Sequence, residues 1–306
     1  MASPTFFSNS VYQRAYATLL SGIHDHKGFF LLTGERGTGK TTLVQRLMQD
    51  AEAVGSCVYL DGSNVLYATI DDVLSFLCTA LELSSTESDG VEKLRMLSAH
   101  LHALMRNGRT AVLFIDEAQR LNDEVLGGLR MLAAVDKTGT QLLLQIVLVG
   151  QPALEQRLTE PDLRPIFQRV ALRCRLTGLT EDEVAAYLVH RVHAVGGGRR
   201  DLFDADAVSH IARASQGIPR LIDHICHQAL LFARDARCET VSAQMVEEAV
   251  TALRLRDIPE SGPSSIDDAI PVVSRQEEHG ATPIPPRKWR RLTIEVLLAL
   301  GAVLMV

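Results

Sequence analysis

The chain has 306 residues, 46% of them hydrophobic and 22% charged. That is enough apolar material for one large core or two ordinary ones, and it excludes disorder throughout. Its 31 Lys and Arg face 37 Asp and Glu, a formal net charge of -6, which is not the balance of a protein that coats nucleic acid. The five cysteines (Cys57, Cys78, Cys174, Cys226, Cys238) are odd in number, widely spaced and free of any CxxC pair. A disulfide scaffold and a structural zinc site are therefore disfavoured, and a reducing, cytoplasmic compartment is expected. The opening MASPTFFSNSVYQ has neither the basic start nor the apolar run of a secretory signal.

Apolar runs of strand length occur at 29–32, 57–60, 111–115, 142–149 and 170–176. Between them apolar residues recur at helical spacing, as in Leu43, Leu47 and Met48, in Val73, Leu74, Leu77 and Leu81, and in Leu126, Leu129 and Leu132. This alternation predicts an α/β core with a parallel sheet covered on both faces. From residue 180 onward the strands stop and four helical stretches follow, at 184–195, 205–214, 221–233 and 242–253. The expected organisation is an α/β core over 1–177 and an all-helical subdomain over 178–256. A linker over 257–286 follows, where six of the eleven prolines fall. Residues 1–256 carry 26 Lys and Arg against 30 Asp and Glu, so the folded part is mildly acidic too.

Directly after the first strand comes Gly34-Glu35-Arg36-Gly37-Thr38-Gly39-Lys40-Thr41-Thr42, a full G-x4-G-K-[ST] match. Glycines at these positions let backbone N–H groups curl around phosphate oxygens. The following helix offers its positive end, Lys40 reaches the β and γ phosphates, and Thr41 is suited to ligate magnesium. A magnesium nucleotide also needs a carboxylate at the tip of a neighbouring strand, and Asp116 and Glu117 follow five apolar residues. Asp116 suits the metal shell, and Glu117 sits where a base orients the attacking water. At the next strand end Gly150-Gln151 places a neutral polar side chain beside the same phosphates. Arg164 and Arg169 precede the fifth strand, and Arg220 follows Gly217-Ile218-Pro219. A guanidinium is a natural partner for charge growing on a transferring phosphoryl group. The pairs His190 with His193 and His224 with His227 lack a third ligand and read as packing or surface residues.

The set GERGTGKTT, LFIDEAQ, IVLVGQPALEQRL, LTEDEVAAYLVHRV and QGIPRLIDHICHQALL resembles the AAA+ ATPases of the general secretion pathway protein A type, also called ExeA-like. The resemblance covers about residues 6 to 254. It implies a P-loop NTPase core with a helical lid, ATP and Mg2+ as ligands, and self-association into a ring or other homo-oligomer. Under it Lys40, Thr41, Asp116 and Glu117 match the two Walker motifs, and Gln151 falls at the sensor 1 position. Arg169 matches the arginine finger that acts on a neighbouring subunit's ATP, with Arg164 as its rival, and Arg220 matches sensor 2. Secretion-type relatives continue through one membrane helix to a periplasmic part that helps a secretin ring assemble, so an envelope or secretion-system partner is implied.

After the linker come Arg287, Lys288, Trp289, Arg290 and Arg291, then the apolar stretch LTIEVLLALGAVLMV. Fifteen helical residues span about 22 Å, short of the roughly 30 Å hydrocarbon core. The stretch is therefore either part of a transmembrane helix or a buried tail. The basic cluster beside the single Trp is what the positive-inside rule and the aromatic belt place at a cytoplasmic membrane face. The sequence is thus read as an ATPase held on the cytoplasmic side of the inner membrane. A soluble, DNA-binding AAA+ regulator of the transposition target-selection type is the competing reading. It would need a basic face, against which the net charge argues. A small-molecule kinase fits less well, because no acceptor pocket is suggested.

Overall fold

The structure, a computed structural model, describes residues 7, 9–52, 55–64, 69–83, 89–133, 142–194 and 202–256. The expected linker over 257–286, the basic and apolar segment over 287–306, and Gly196 to Gly198 with Arg199 and Arg200 lie outside the described residues. No helix among the described residues is long and apolar enough to cross a membrane. The chain divides into two units, one made of Ser8–Gly178 with Ile218–Arg220 and the other of the remainder.

The first unit is built on five parallel strands: β1 (Phe29–Gly34), β2 (Gly55–Asp61), β3 (Thr110–Asp116), β4 (Leu144–Gly150) and β5 (Val170–Leu176). Their order across the sheet is β2-β3-β4-β1-β5. Among the described residues seven α-helices accompany them: α1 (Ser10–His24), α2 (Lys40–Ala51), α3 (Ile70–Ala80), α4 (Gly90–Arg106), α5 (Asp123–Leu132), α6 (Pro152–Leu158) and α7 (Arg164–Phe167). Every residue of β1, β3 and β4 is buried, whereas the edge strand β5 alternates toward solvent. Side chains alternate along a strand. Phe29, Leu31, Leu113, Ile115, Ile146 and Leu148 therefore share one core with Leu74 and Leu77 of α3, Leu97 and Leu101 of α4, and Leu126 and Leu129 of α5. The intervening Phe30, Leu32, Val112, Phe114, Val147 and Val149 are buried on the opposite side of the pleat. Two covered faces are why these strands read as mostly apolar runs.

Helix starts are local and chemical. Thr69 and Asp72 close a capping box on α3, and the side chains of Asn9, Asp89 and Asn122 accept backbone N–H groups at the starts of α1, α4 and α5. One expectation needs correction. The carboxylate strand β3 is not the direct neighbour of the phosphate-loop strand β1, because β4 is inserted between them. The tip of β4 therefore stands between Gly34 and Asp116, a non-local pairing that chain order does not reveal.

The second unit holds α8 (Glu181–Ala194), α9 (Ala205–Ser215), α10 (Pro219–Asp235, from Leu221 onward) and α11 (Ala243–Arg256). Val184, Leu188, Ile211, Ile222, Ile225, Leu230 and Val246 form its core. Within it Asp223 accepts hydrogen bonds from Tyr187 Oη at 3.0 and 3.1 Å and pairs with Arg191 at 3.2 Å. Phe7 stacks edge-on against Tyr187 and His190.

Candidate nucleotide site

The site begins where β1 ends. After Gly34 the chain turns through Glu35, Arg36, Gly37, Thr38 and Gly39 before α2 starts at Lys40. Gly37 and Gly39 hold φ values of 87° and 91°, a left-handed backbone that side chains rarely adopt. The turn exposes the first N–H groups of α2, which a helix cannot satisfy internally. Thr38 Oγ1 donates to the Glu35 carbonyl at 2.8 Å and stiffens the loop.

Lys40 is only 5% exposed. Its ammonium donates to the Gly34 carbonyl at 2.9 Å and the Glu35 carbonyl at 3.0 Å, which holds it inside the curl of the loop. Burial pushes its pKa down, while the nearby Glu117, Asp116 and Glu35 carboxylates work against that shift. A buried ammonium framed by carbonyls, beside the free N–H groups at the start of a helix, suits a phosphate-bearing ligand.

Asp116, at the end of β3, is 2% exposed. Its Oδ2 accepts Thr41 Oγ1 at 2.6 Å and Tyr59 Oη at 3.3 Å, and its Oδ1 accepts the Glu117 N–H at 2.8 Å. Thr41 and Asp116 are thus joined across 75 residues of sequence. A hydroxyl and a carboxylate are hard oxygen donors of the kind magnesium takes, so the residues present fit a magnesium nucleotide. Glu117 is half-buried with backbone angles of 49° and 33° in the left-handed region. Its carboxylate accepts Gln119 Nε2 at 2.6 Å and lies 4.0 Å from Arg120 Nε.

Gln151 caps the N-terminus of α6 through its backbone and joins the group through its N–H, which donates to Gln119 Oε1 at 3.2 Å. Arg220 meets the phosphate loop through its main chain. Its N–H donates to the Gly37 carbonyl at 3.4 Å, and a Cβ on Gly37 would come within 2.6 Å of Arg220 Cβ. Glu35, Arg36, Thr41 and Thr42 are exposed on the loop and the first turn of α2. Arg164 and Arg169 are exposed on α7 and just before the edge strand β5, and neither belongs to the hydrogen-bonded group around Asp116 and Glu117. Sequence reasoning missed three residues here. Tyr59 reads as an ordinary strand aromatic, and Gln119 and Arg157 sit in quoted motifs with nothing local to announce what their side chains reach.

A family model described as an AAA domain matches residues 23–158. General secretion pathway protein A of Aeromonas hydrophila is 38% identical over 220 residues, which is 72% of this chain and 39% of that protein. The chain carries an AAA domain and is related to general secretion pathway protein A. It spans well under half of that relative's length. Solved structures share the AAA+ fold at low identity. Cdc6p from Pyrobaculum aerophilum aligns with a TM-score of 0.60 at 18% identity, over 84% of this chain and 73% of its own. The Aeropyrum pernix ORC2 protein, solved as ADPNP-ADP complexes, aligns at 0.56 and 16%, over 81% and 70%. The RuvB Holliday junction branch migration motor of Thermotoga maritima aligns at 0.53 and 18%, also over 81% and 70%.

Proposed function

We propose that this AAA+ protein binds and hydrolyses ATP with magnesium at the end of β1 and β3. We propose further that it works as a homo-oligomer tethered to the cytoplasmic face of the inner membrane, where it assembles a secretion or envelope machine. The observation that carries the catalytic part is the 2.6 Å bond between Thr41 and Asp116 beside the buried Lys40 ammonium. The loop amides of Gly37 to Thr42 and Lys40 hold the phosphates, and Glu117 accepts the proton of the attacking water. Asp116 and Thr41 would hold magnesium, which supplies positive charge against the phosphate oxygens when bound. Gln151 at the β4 tip and Arg220 at the loop are the groups assigned to the γ phosphate within the subunit. Arg169, exposed before the edge strand, is assigned to the ATP of a neighbour.

Two variants test the chemistry. Glu117→Gln is expected to keep ATP binding and lose turnover by about a hundredfold or more, whereas Lys40→Ala loses both. Equal turnover in Glu117→Gln and the parent would remove Glu117 from its role.

The membrane part rests on the Arg287 to Arg291 cluster with Trp289, the apolar residues that follow, and the relation to general secretion pathway protein A. Its test is fractionation of cells expressing the chain with and without residues 287–306. The longer chain is expected in the membrane fraction and the shorter in the soluble one. Both in the soluble fraction would remove the tether and favour the DNA-binding regulator, a reading otherwise opposed by the acidic balance of residues 1–256.

A further inference from the structure

Gln119 lies in the 3-10 turn Ala118–Arg120, and both ends of its side-chain amide are committed. Nε2 donates to Oε2 of Glu117 at 2.6 Å, and Oε1 accepts the N–H of Gln151 at 3.2 Å. The group therefore spans from the residue after β3 to the residue after β4. A carboxylate in its place would repel Glu117, and an apolar side chain would abandon both partners.

The turn that carries Gln119 is held from the same direction. Arg157 of α6 donates through Nη1 to the Gln119 carbonyl at 2.6 Å and through Nη2 to the Leu121 carbonyl at 3.0 Å, and it pairs with Asp123. Gln151 caps the helix on which Arg157 stands. The turn is thus gripped twice, by the backbone amide of Gln151 at the β4 tip and by the Arg157 guanidinium of α6. Gly150 makes room for this, since a Cβ there would come within 2.5 Å of Gln119 Oε1.

We infer that Gln119 is a positioning residue which fixes the rotamer of the Glu117 carboxylate and ties it to the tip of β4 at Gln151. A half-buried glutamate has three side-chain torsions to settle, and a short hydrogen bond to one carboxylate oxygen selects among them while leaving the other oxygen for water. Because the far end of the bridge is the backbone of Gln151, displacement of the β4 tip moves the Glu117 carboxylate. The inference rests on Glu117 being the group that accepts the water's proton.

The test uses the full chain and four variants: Gln119→Met, which keeps the length and loses both polar ends; Gly150→Ala, which displaces the Gln119 amide without deleting an atom of it; Glu117→Gln; and the double variant Gln119→Met with Glu117→Gln. Steady-state ATP hydrolysis, the Kd of a fluorescent ATP analogue and the Tm are measured on each. Gln119→Met is expected to lower kcat about tenfold with KM and Kd held within about twofold. Gly150→Ala is expected to lower kcat in the same sense by about threefold. In single-turnover assays, adding Gln119→Met to Glu117→Gln is expected to change the residual rate by less than about twofold, because the bridge acts only through the carboxylate. Unchanged kcat in Gln119→Met overturns the inference. So does a kcat loss equalled by the loss of ATP binding, or the same fold-loss repeated in the Glu117→Gln background. If Gln119→Met fails to fold, Gly150→Ala decides, and unchanged kcat there overturns the bridge. If Glu117→Gln itself turns over like the parent, it is the reading of Glu117 that has failed, a different outcome from a Glu117-dependent enzyme indifferent to Gln119.

Discussion

Two aspartates, the buried Asp116 and the half-buried Asp223, one in each unit, are satisfied in opposite ways. Asp223 in the helical unit meets a cation of its own protein, Arg191 at 3.2 Å, and a phenol, Tyr187. Burial still pushes its carboxyl upward, with Arg191 and the Tyr187 hydrogen bond pulling it back. Asp116, at the end of β3, accepts neutral donors among the described residues, the hydroxyls of Thr41 and Tyr59 and the Glu117 N–H. A largely shielded carboxylate that already holds its cation serves the fold, because its charge is matched within the protein. One dressed with neutral donors beside a phosphate loop keeps lone pairs of the kind that the magnesium of the proposed reaction takes.

The contrast is most easily broken from the closed side. Arg191→Met removes the cation and leaves Asp223 without its charge partner. A fully buried pair broken in this way costs about 3 to 5 kcal/mol; with side chains 19% and 14% exposed, a loss of about 2 to 3 kcal/mol is expected. A denaturant titration reads this directly, and a loss below about 0.5 kcal/mol would show that the ion pair is not what holds these helices. A smaller effect sharpens the open side. Tyr59→Phe deletes one neutral donor at 3.3 Å from Asp116, so stability should change by less than about 1 kcal/mol while kcat falls about threefold. A threefold gain would mean that the phenol restrains Asp116 unproductively.

The sheet was legible because β1, β3 and β4 are buried on both faces, so their runs are mostly apolar, with the buried Gln145 inside β4 as an exception, and need no partner to be recognised. The phosphate loop was legible because its chemistry demands glycines, a lysine and a hydroxyl at fixed local spacing, and Lys40 and Thr41 lie where that spacing puts them. What escaped was non-local. The insertion of β4 between β1 and β3 is decided by tertiary pairing. Tyr59 reaches Asp116 because β2 and β3 run in parallel register, with Asp61 opposite Asp116. Gln119 bridges Glu117 and Gln151 only because a left-handed residue at Glu117 throws the chain into a 3-10 turn, and no periodicity marks that. The linker and the apolar stretch beyond it were read from composition alone, and both lie outside the described residues.

The account turns on Asp116 serving chemistry while Asp223 serves the fold, and one paired measurement addresses it: magnesium-dependent ATP turnover and Tm for Asp116→Asn and Asp223→Asn, assayed well below both melting temperatures. Asp116→Asn is expected to lose turnover by about a hundredfold or more with Tm kept within about 3 °C. Asp223→Asn is expected to lower Tm by about 5 °C or more while each folded molecule keeps its turnover within about threefold. Turnover retained in Asp116→Asn, or abolished in a fully folded Asp223→Asn, would contradict the account.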